Sequence, residues 1–128
     1  MNTPEVTTFP ELKGNWVMTE PFNYIGNGVD LLIPRGFKTD LASIPRFLWR
    51  VIAPFELSLT GPIVHDWLYR TCGLGCYDRE DVDRLFRDIM KDEGVSAWRR
   101  EVAYRGVRIF GGAAWGKDSP EIISLEGL

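Results

Sequence analysis

The sequence predicts an α+β protein, with an N-terminal β-hairpin or small antiparallel sheet followed by a three-helix core. Three observations carry that reading. Short runs of alternating apolar residues flank Asn27-Gly28, a dipeptide that accepts the positive backbone angles of a tight hairpin turn. From Thr60 onward, apolar residues recur at helical spacing in three segments, each with start and stop signals. The 128 residues are 45% hydrophobic and 26% charged, the balance of one ordinary soluble domain. We therefore expect a single domain over 1–128. Its β-rich part covers 15–36, its helical core 60–111, and a C-terminal arm 117–128.

The strands come first. Residues 16–19 and 22–25 read as short strands separated by Glu20-Pro21, and 29–33 as the return strand of the hairpin. Pro34-Arg35-Gly36 punctuates its end. Residues 37–46 read as loop up to Pro45, and 47–52 as one or two helical turns closed by Ala53-Pro54. The first substantial helix starts near Thr60-Gly61-Pro62, because proline is tolerated where its missing N–H has no partner anyway. It ends near Cys72-Gly73, where a glycine cap is available. A second helix runs from Asp78, a natural N-cap, to about Asp92, and Gly94 stops it. Its residues Val82, Leu85, Phe86, Ile89 and Met90 form one apolar stripe. A third helix runs from near Ser96 to about Phe110 and ends at Gly111-Gly112. Trp98, Val102, Ala103, Val107, Ile109 and Phe110 cover one broad side of it.

Charge and composition exclude several function classes. A formal net charge of −3 argues against a nucleic-acid partner, which calls for a basic stripe. Arg99, Arg100, Arg105 and Arg108 read instead as the wet face of the third helix. No apolar run approaches the roughly 20 residues of a membrane span, and no signal-peptide pattern opens the chain, so cytoplasmic synthesis without export is expected. Cys72 and Cys76 can pair with each other or stay reduced. With His65 they lack a fourth ligand and match no usual zinc spacing.

His65 is the single histidine, and so carries any neutral-pH imidazole chemistry. At about 100° per residue, His65 and Tyr69 share one flank of the first helix, while Asp66 points well away from His65. The two neighbours therefore serve different contacts. Of the acids within the second helix, Asp83 lies at the edge of the apolar stripe, placed to meet a side chain from another helix. A carboxylate on one imidazole nitrogen fixes the tautomer and raises basicity at the other. His65 with Asp83 thus fits a catalytic dyad, and equally a buried structural bond. Asp40, in a loop, can join Asp66 and loop carbonyls in part of a calcium shell, or bond its own turn. Ser43, Ser58 and Thr60 can serve as nucleophiles for His65, although no strand–elbow–helix signature surrounds them, and Ser58 or Thr60 also suits a helix cap.

Two family resemblances rest on these residues. Gly36-Phe37-Lys38-Thr39-Asp40-Leu41-Ala42-Ser43-Ile44-Pro45-Arg46, then His65-Asp66 with Leu68-Tyr69-Arg70, then Asp83 and Phe86, and finally Val107-Arg108-Ile109-Phe110-Gly111-Gly112 with Trp115 carry the first. The span resembles small phage and prophage proteins classed as domain of unknown function 1353. That implies a phage or prophage origin and brings no established activity. Gly61-Pro62, His65-Asp66, Tyr69-Arg70 and Asp83-Arg84-Leu85-Phe86 are similar to the helix pair of bacterial, fungal and parvoviral phospholipases A2. The resemblance implies that His65 activates a water for ester attack and that Asp83 orients it. Tyr69 would support the pair, and Asp66, with Asp40 by position, would hold Ca2+. The glycine-rich calcium loop of many such enzymes is replaced here by Asp40-Leu41-Ala42-Ser43-Ile44-Pro45, and their disulfides are missing. Two expectations follow. One is a calcium-assisted hydrolase of lipid or another ester. The other is a non-enzymatic virion, tail or assembly component that meets other phage structural proteins and in which His65, Asp66 and Asp83 form a structural knot.

Overall fold

Asn27 and Gly28 adopt φ of 52° and 76°, the left-handed angles a two-residue hairpin turn requires. The flanking residues consequently pair from Phe22↔Ile33 to Gly26↔Val29. The structure is a computed structural model, and it describes residues 4–7, 15–52 and 59–126. Its elements are β1 (Val6–Thr7), β2 (Trp16–Met18), β3 (Phe22–Gly26), β4 (Val29–Ile33), β5 (Phe37–Thr39), α1 (Trp49–Ile52), α2 (Thr60–Arg70), α3 (Arg79–Asp92), α4 (Ala97–Phe110) and β6 (Glu121–Ile122). The expected α+β architecture is present: antiparallel sheets followed by three substantial helices. Ala53-Pro54 and Ser58 lie outside the described residues.

The loop expected at 37–46 begins instead as a strand. Phe37 and Thr39 are buried while Lys38 is half-buried, a period-two pattern too short to stand out in the sequence. Long-range pairing imposes it: β5 lies between β2 (Val17↔Lys38) and β6 (Lys38↔Glu121) in a four-stranded antiparallel sheet ordered β1-β2-β5-β6. The C-terminal arm thus ends the sheet. It is fastened by Ile123 N–H donating to Gly36 O (2.9 Å) and by a Lys38–Glu121 ion pair of 3.0 Å. Gly36 has φ 89°, and a Cβ there would lie 2.3 Å from the Ile123 carbonyl oxygen.

The helices follow their start and stop signals closely. Asp78 and Asp81 exchange side-chain and backbone bonds in a capping box, closing the first turn of α3. The apolar stripe of α3 is buried, Val82, Leu85 and Ile89 on the sheet side and Phe86 and Met90 on the other. Ile63, Val64, Leu68 and Tyr69 of α2 join the sheet-side cluster, with Met18, Phe22, Ile33 and Phe37. The second cluster gathers Ile44, Leu48, Val95, Ala103 and Val107. The broad side read on the third helix is narrower than expected. Ala103, Gly106 and Val107 are buried, whereas Trp98, Val102, Ile109 and Phe110 are exposed. At Gly106 Leu48 packs so closely that a Cβ would meet its Cδ1 at 2.6 Å. Among the described residues, no helix is long and apolar enough to cross a membrane.

Candidate functional site

Helix α2 carries His65 and Tyr69 one turn apart, facing α3. The imidazole is 1% exposed and bonded at both nitrogens. Nε2 lies 2.7 Å from Asp83 Oδ1, and Nδ1 lies 3.0 Å from Ser43 Oγ. Tyr69 and Phe86 flank the ring, with centroids at 4.2 and 4.9 Å, and fix its plane. Asp83 is fully buried. Its Oδ1 also accepts the Tyr69 hydroxyl at 2.6 Å, and its Oδ2 accepts Arg108 Nη1 at 2.9 Å. Arg79 Nη1 stands 3.6 Å from Oδ2 while donating to the Val107 carbonyl, at 3.1 Å.

Burial alone would push the Asp83 carboxyl upward. The bond and charge of His65, then the Tyr69 and Arg108 bonds, outweigh that and hold it below the usual carboxylate range. Asp83 is therefore ionised. An ionised carboxylate can only accept, so Nε2 carries the proton in that bond, and in the neutral imidazole this leaves the Nδ1 lone pair to accept from the Ser43 hydroxyl. Burial, reinforced by the neighbouring Asp83, raises the Tyr69 phenol well above its ordinary value, so it remains a neutral donor. The chain Ser43–His65–Asp83 thus links a hydroxyl, an imidazole and a carboxylate in sequence.

Asp66 turns the other way, toward the loop after β5. Three successive amides of that loop are held by side chains. Leu41 N–H donates to Thr39 Oγ1 (2.9 Å), Ala42 N–H to Asp40 Oδ1 (2.9 Å) and Ser43 N–H to Asp66 Oδ1 (3.3 Å). His65 and Asp66 therefore converge on one residue, the first through the hydroxyl of Ser43 and the second through its backbone. Asp66 Oδ2 further accepts the Thr39 hydroxyl and Arg70 Nε, the latter at 2.9 Å.

Asp66 and Asp40 do come together, but on a guanidinium: Arg70 Nη2 also donates to Asp40 Oδ1 at 3.2 Å. A calcium ion needs about six to eight oxygens turned toward it. Here a fixed positive charge already lies between the two carboxylates and would repel a second cation. The remaining bonds of Asp66 go to Thr39 and Ser43. The residues present do not fit calcium, and among those described no three His, Cys, Asp or Glu side chains gather as a metal-binding group. Cys72 and Cys76 are free and exposed.

Ser43, Asp66, Tyr69 and Arg70 line a cleft of about 370 Å³. Pro45, Phe47, Phe110, Ala113 and Ala114 give it apolar walls, and Lys117 and Asp118 are its other charged lining residues. Phe47 and Phe110 stack edge-on at 5.3 Å.

Sequence reasoning had placed Arg108 on the wet face of its helix. It turns inward instead, because Asp83 offers a buried negative charge within reach. Arg79, four residues before Asp83 on the same helix, was readable from that spacing. Thr39 and Arg70 were missed as partners of Asp66, although Arg70 lies four residues beyond it on α2.

Comparison with known proteins places this geometry in context. A family described as "Protein of unknown function (DUF1353)" matches residues 16–107, which contain every residue of the Ser43–His65–Asp83 chain. An uncharacterized protein, y4jT, of Sinorhizobium fredii is 30% identical over 103 residues, covering 79% of this chain. The match takes in 28% of that relative, so the chain spans little more than a quarter of its length. No solved structure matches.

Proposed function

The chain belongs to the DUF1353 family of proteins of unknown function, and from that premise we propose that it is an ester hydrolase with His65 as general base and Asp83 as its orienting partner. The observation that supports this most is the asymmetry of the imidazole. Nε2 is locked on a buried, ionised carboxylate, while Nδ1 faces Ser43 on the floor of an apolar cleft. A base fixed in one tautomer and oriented by a third group is what acyl transfer needs. Tyr69 supports Asp83 through its hydroxyl.

The substrate class we propose is an acyl ester, a membrane phospholipid being the case that the phospholipase-like helix pair favours. In a phage or prophage setting, such a hydrolase would be made in the host cytoplasm and act on lipid during entry or lysis. The reading contains no calcium step, since Arg70 already supplies positive charge between Asp66 and Asp40.

A second reading draws on a different observation. His65 is almost fully buried with both ring nitrogens satisfied, as in a structural knot of a non-enzymatic virion or assembly component. Release of fatty acid from phosphatidylglycerol–phosphatidylcholine vesicles separates the two. The wild type should hydrolyse lipid equally in calcium and in a chelator. His65→Gln should lose at least a hundredfold in rate while keeping its far-UV spectrum and a cooperative melt. A wild type inert toward vesicles and short-chain esters alike would leave the structural reading standing.

A further inference from the structure

We propose that Ser43 is a covalent nucleophile, so that hydrolysis passes through an acyl-serine and not through direct attack of water. The inference rests on the hydrolase reading and assigns the group that reacts.

Ser43 Oγ sits 3.0 Å from His65 Nδ1, the only imidazole nitrogen not committed to Asp83. A water activated by that nitrogen would have to occupy the place the hydroxyl already fills. The hydroxyl is therefore the proton source that the base can reach. Ser43 is buried yet is one of the residues that line the cleft, beside Asp66 and Tyr69, so its hydroxyl lies between the base and the cleft.

The loop that presents Ser43 is also over-determined. Its amides at 41, 42 and 43 are bonded to Thr39, Asp40 and Asp66. Two residues before the serine, buried Leu41 has φ 59°, a left-handed conformation that is costly for a side chain of this kind. Strained residues persist only where their surroundings force them, and they concentrate at reacting groups. Here the strained residue lies between β5 and Ser43, whose amide and hydroxyl both bond to side chains of α2.

The chemistry balances with groups on the page. Ser43 Oγ forms a bond to the ester carbonyl carbon as its proton passes to His65 Nδ1. Collapse of the tetrahedral adduct breaks the bond to the alcohol oxygen, and the departing alcohol takes that proton. A water then enters, loses a proton to the same nitrogen and attacks the acyl carbon. Ser43 leaves with the proton returned to its oxygen, and the carboxylic acid is released.

The test uses the full chain and a long-chain alkyl fluorophosphonate, which loses fluoride to an activated serine and leaves a stable phosphonyl ester. Intact-mass spectrometry should show one adduct per chain, mapped by peptide sequencing to Ser43, and no adduct on Ser43→Ala. Labelling of the wild type needs no variant to fold; a cooperative melt of Ser43→Ala qualifies the control. An unlabelled wild type, with vesicle hydrolysis that needs His65 but survives Ser43→Ala, overturns the covalent step and leaves the hydrolase reading intact. An adduct at any other residue also overturns it. An unlabelled wild type that hydrolyses nothing overturns both, whereas labelling at Ser43 without lipid hydrolysis supports the nucleophile and changes only the substrate.

Discussion

Asp83 holds a full negative charge without exposure to water, and it does so by accepting from His65, Tyr69 and Arg108 together. Removing such an acceptor strands buried donors, each costing about 1–3 kcal/mol. Asp83→Ala should therefore lose about 3 kcal/mol or more by urea denaturation, even though Arg108 and Arg79 can turn back to solvent. The sign of the pH dependence follows from its depressed folded-state value. Its contribution is present above the unfolded-state value of about pH 4 and is lost as pH falls through the folded one. Tyr69 acts oppositely: its folded-state value is raised, so its contribution is present below about pH 10 and lost as pH rises. Melts across pH should show both limbs, the acid one weakened in Asp83→Asn and the alkaline one weakened in Tyr69→Phe, where Tyr24, also raised by burial, keeps a part of it. The pairing of His65 with Asp83 was legible because helical spacing fixes which flank each side chain takes. Ser43 was one of three hydroxyls open to His65, and nothing local singled it out; Arg108 against Asp83 was not legible, since 25 residues separate them and no local period links them.

At the scale of elements, helix boundaries were the most legible part of the chain. Asp78 with Asp81, Gly94 and the Gly111-Gly112 pair are local stop and start chemistry, and local chemistry can be read in one dimension. Strand β5 was not legible, because its three residues become a strand only through β2 and β6. The face of α4 was misjudged for a related reason. Apolar residues mark what can be buried, whereas burial also needs a neighbouring element, and Trp98, Val102 and Ile109 stay exposed. The C-terminal arm depends on one narrow contact at Gly36, where φ is 89° and the Ile123 carbonyl leaves no room for a side chain. Gly36→Ala should release β6 without unfolding the helices. Hydrogen exchange should then show a faster Ile123 amide and an unchanged α3, with a total loss of about 1–3 kcal/mol.

Over the whole molecule, His65 stands where the two apolar clusters meet, with Tyr69 of the sheet-side cluster on one side and Phe86 of the other on its second. Helices α2 and α3 therefore have to close against each other in a single register for the polar chain to form. The link between them is the turn over Cys72, Gly73, Leu74 and Gly75, whose φ values are 52°, 69°, 56° and 75°. Four consecutive residues of positive φ make one turn of the opposite hand. Leu74 is 46% exposed at that turn and pays the chiral penalty of about 1–2 kcal/mol without a buried contact to offset it. A mirror-image residue would suit the site better than the natural one. Total chemical synthesis with D-leucine at position 74 should yield a protein more stable by about 1 kcal/mol in urea titration. The same stereochemical inversion at Leu68, inside a right-handed helix, should prevent folding.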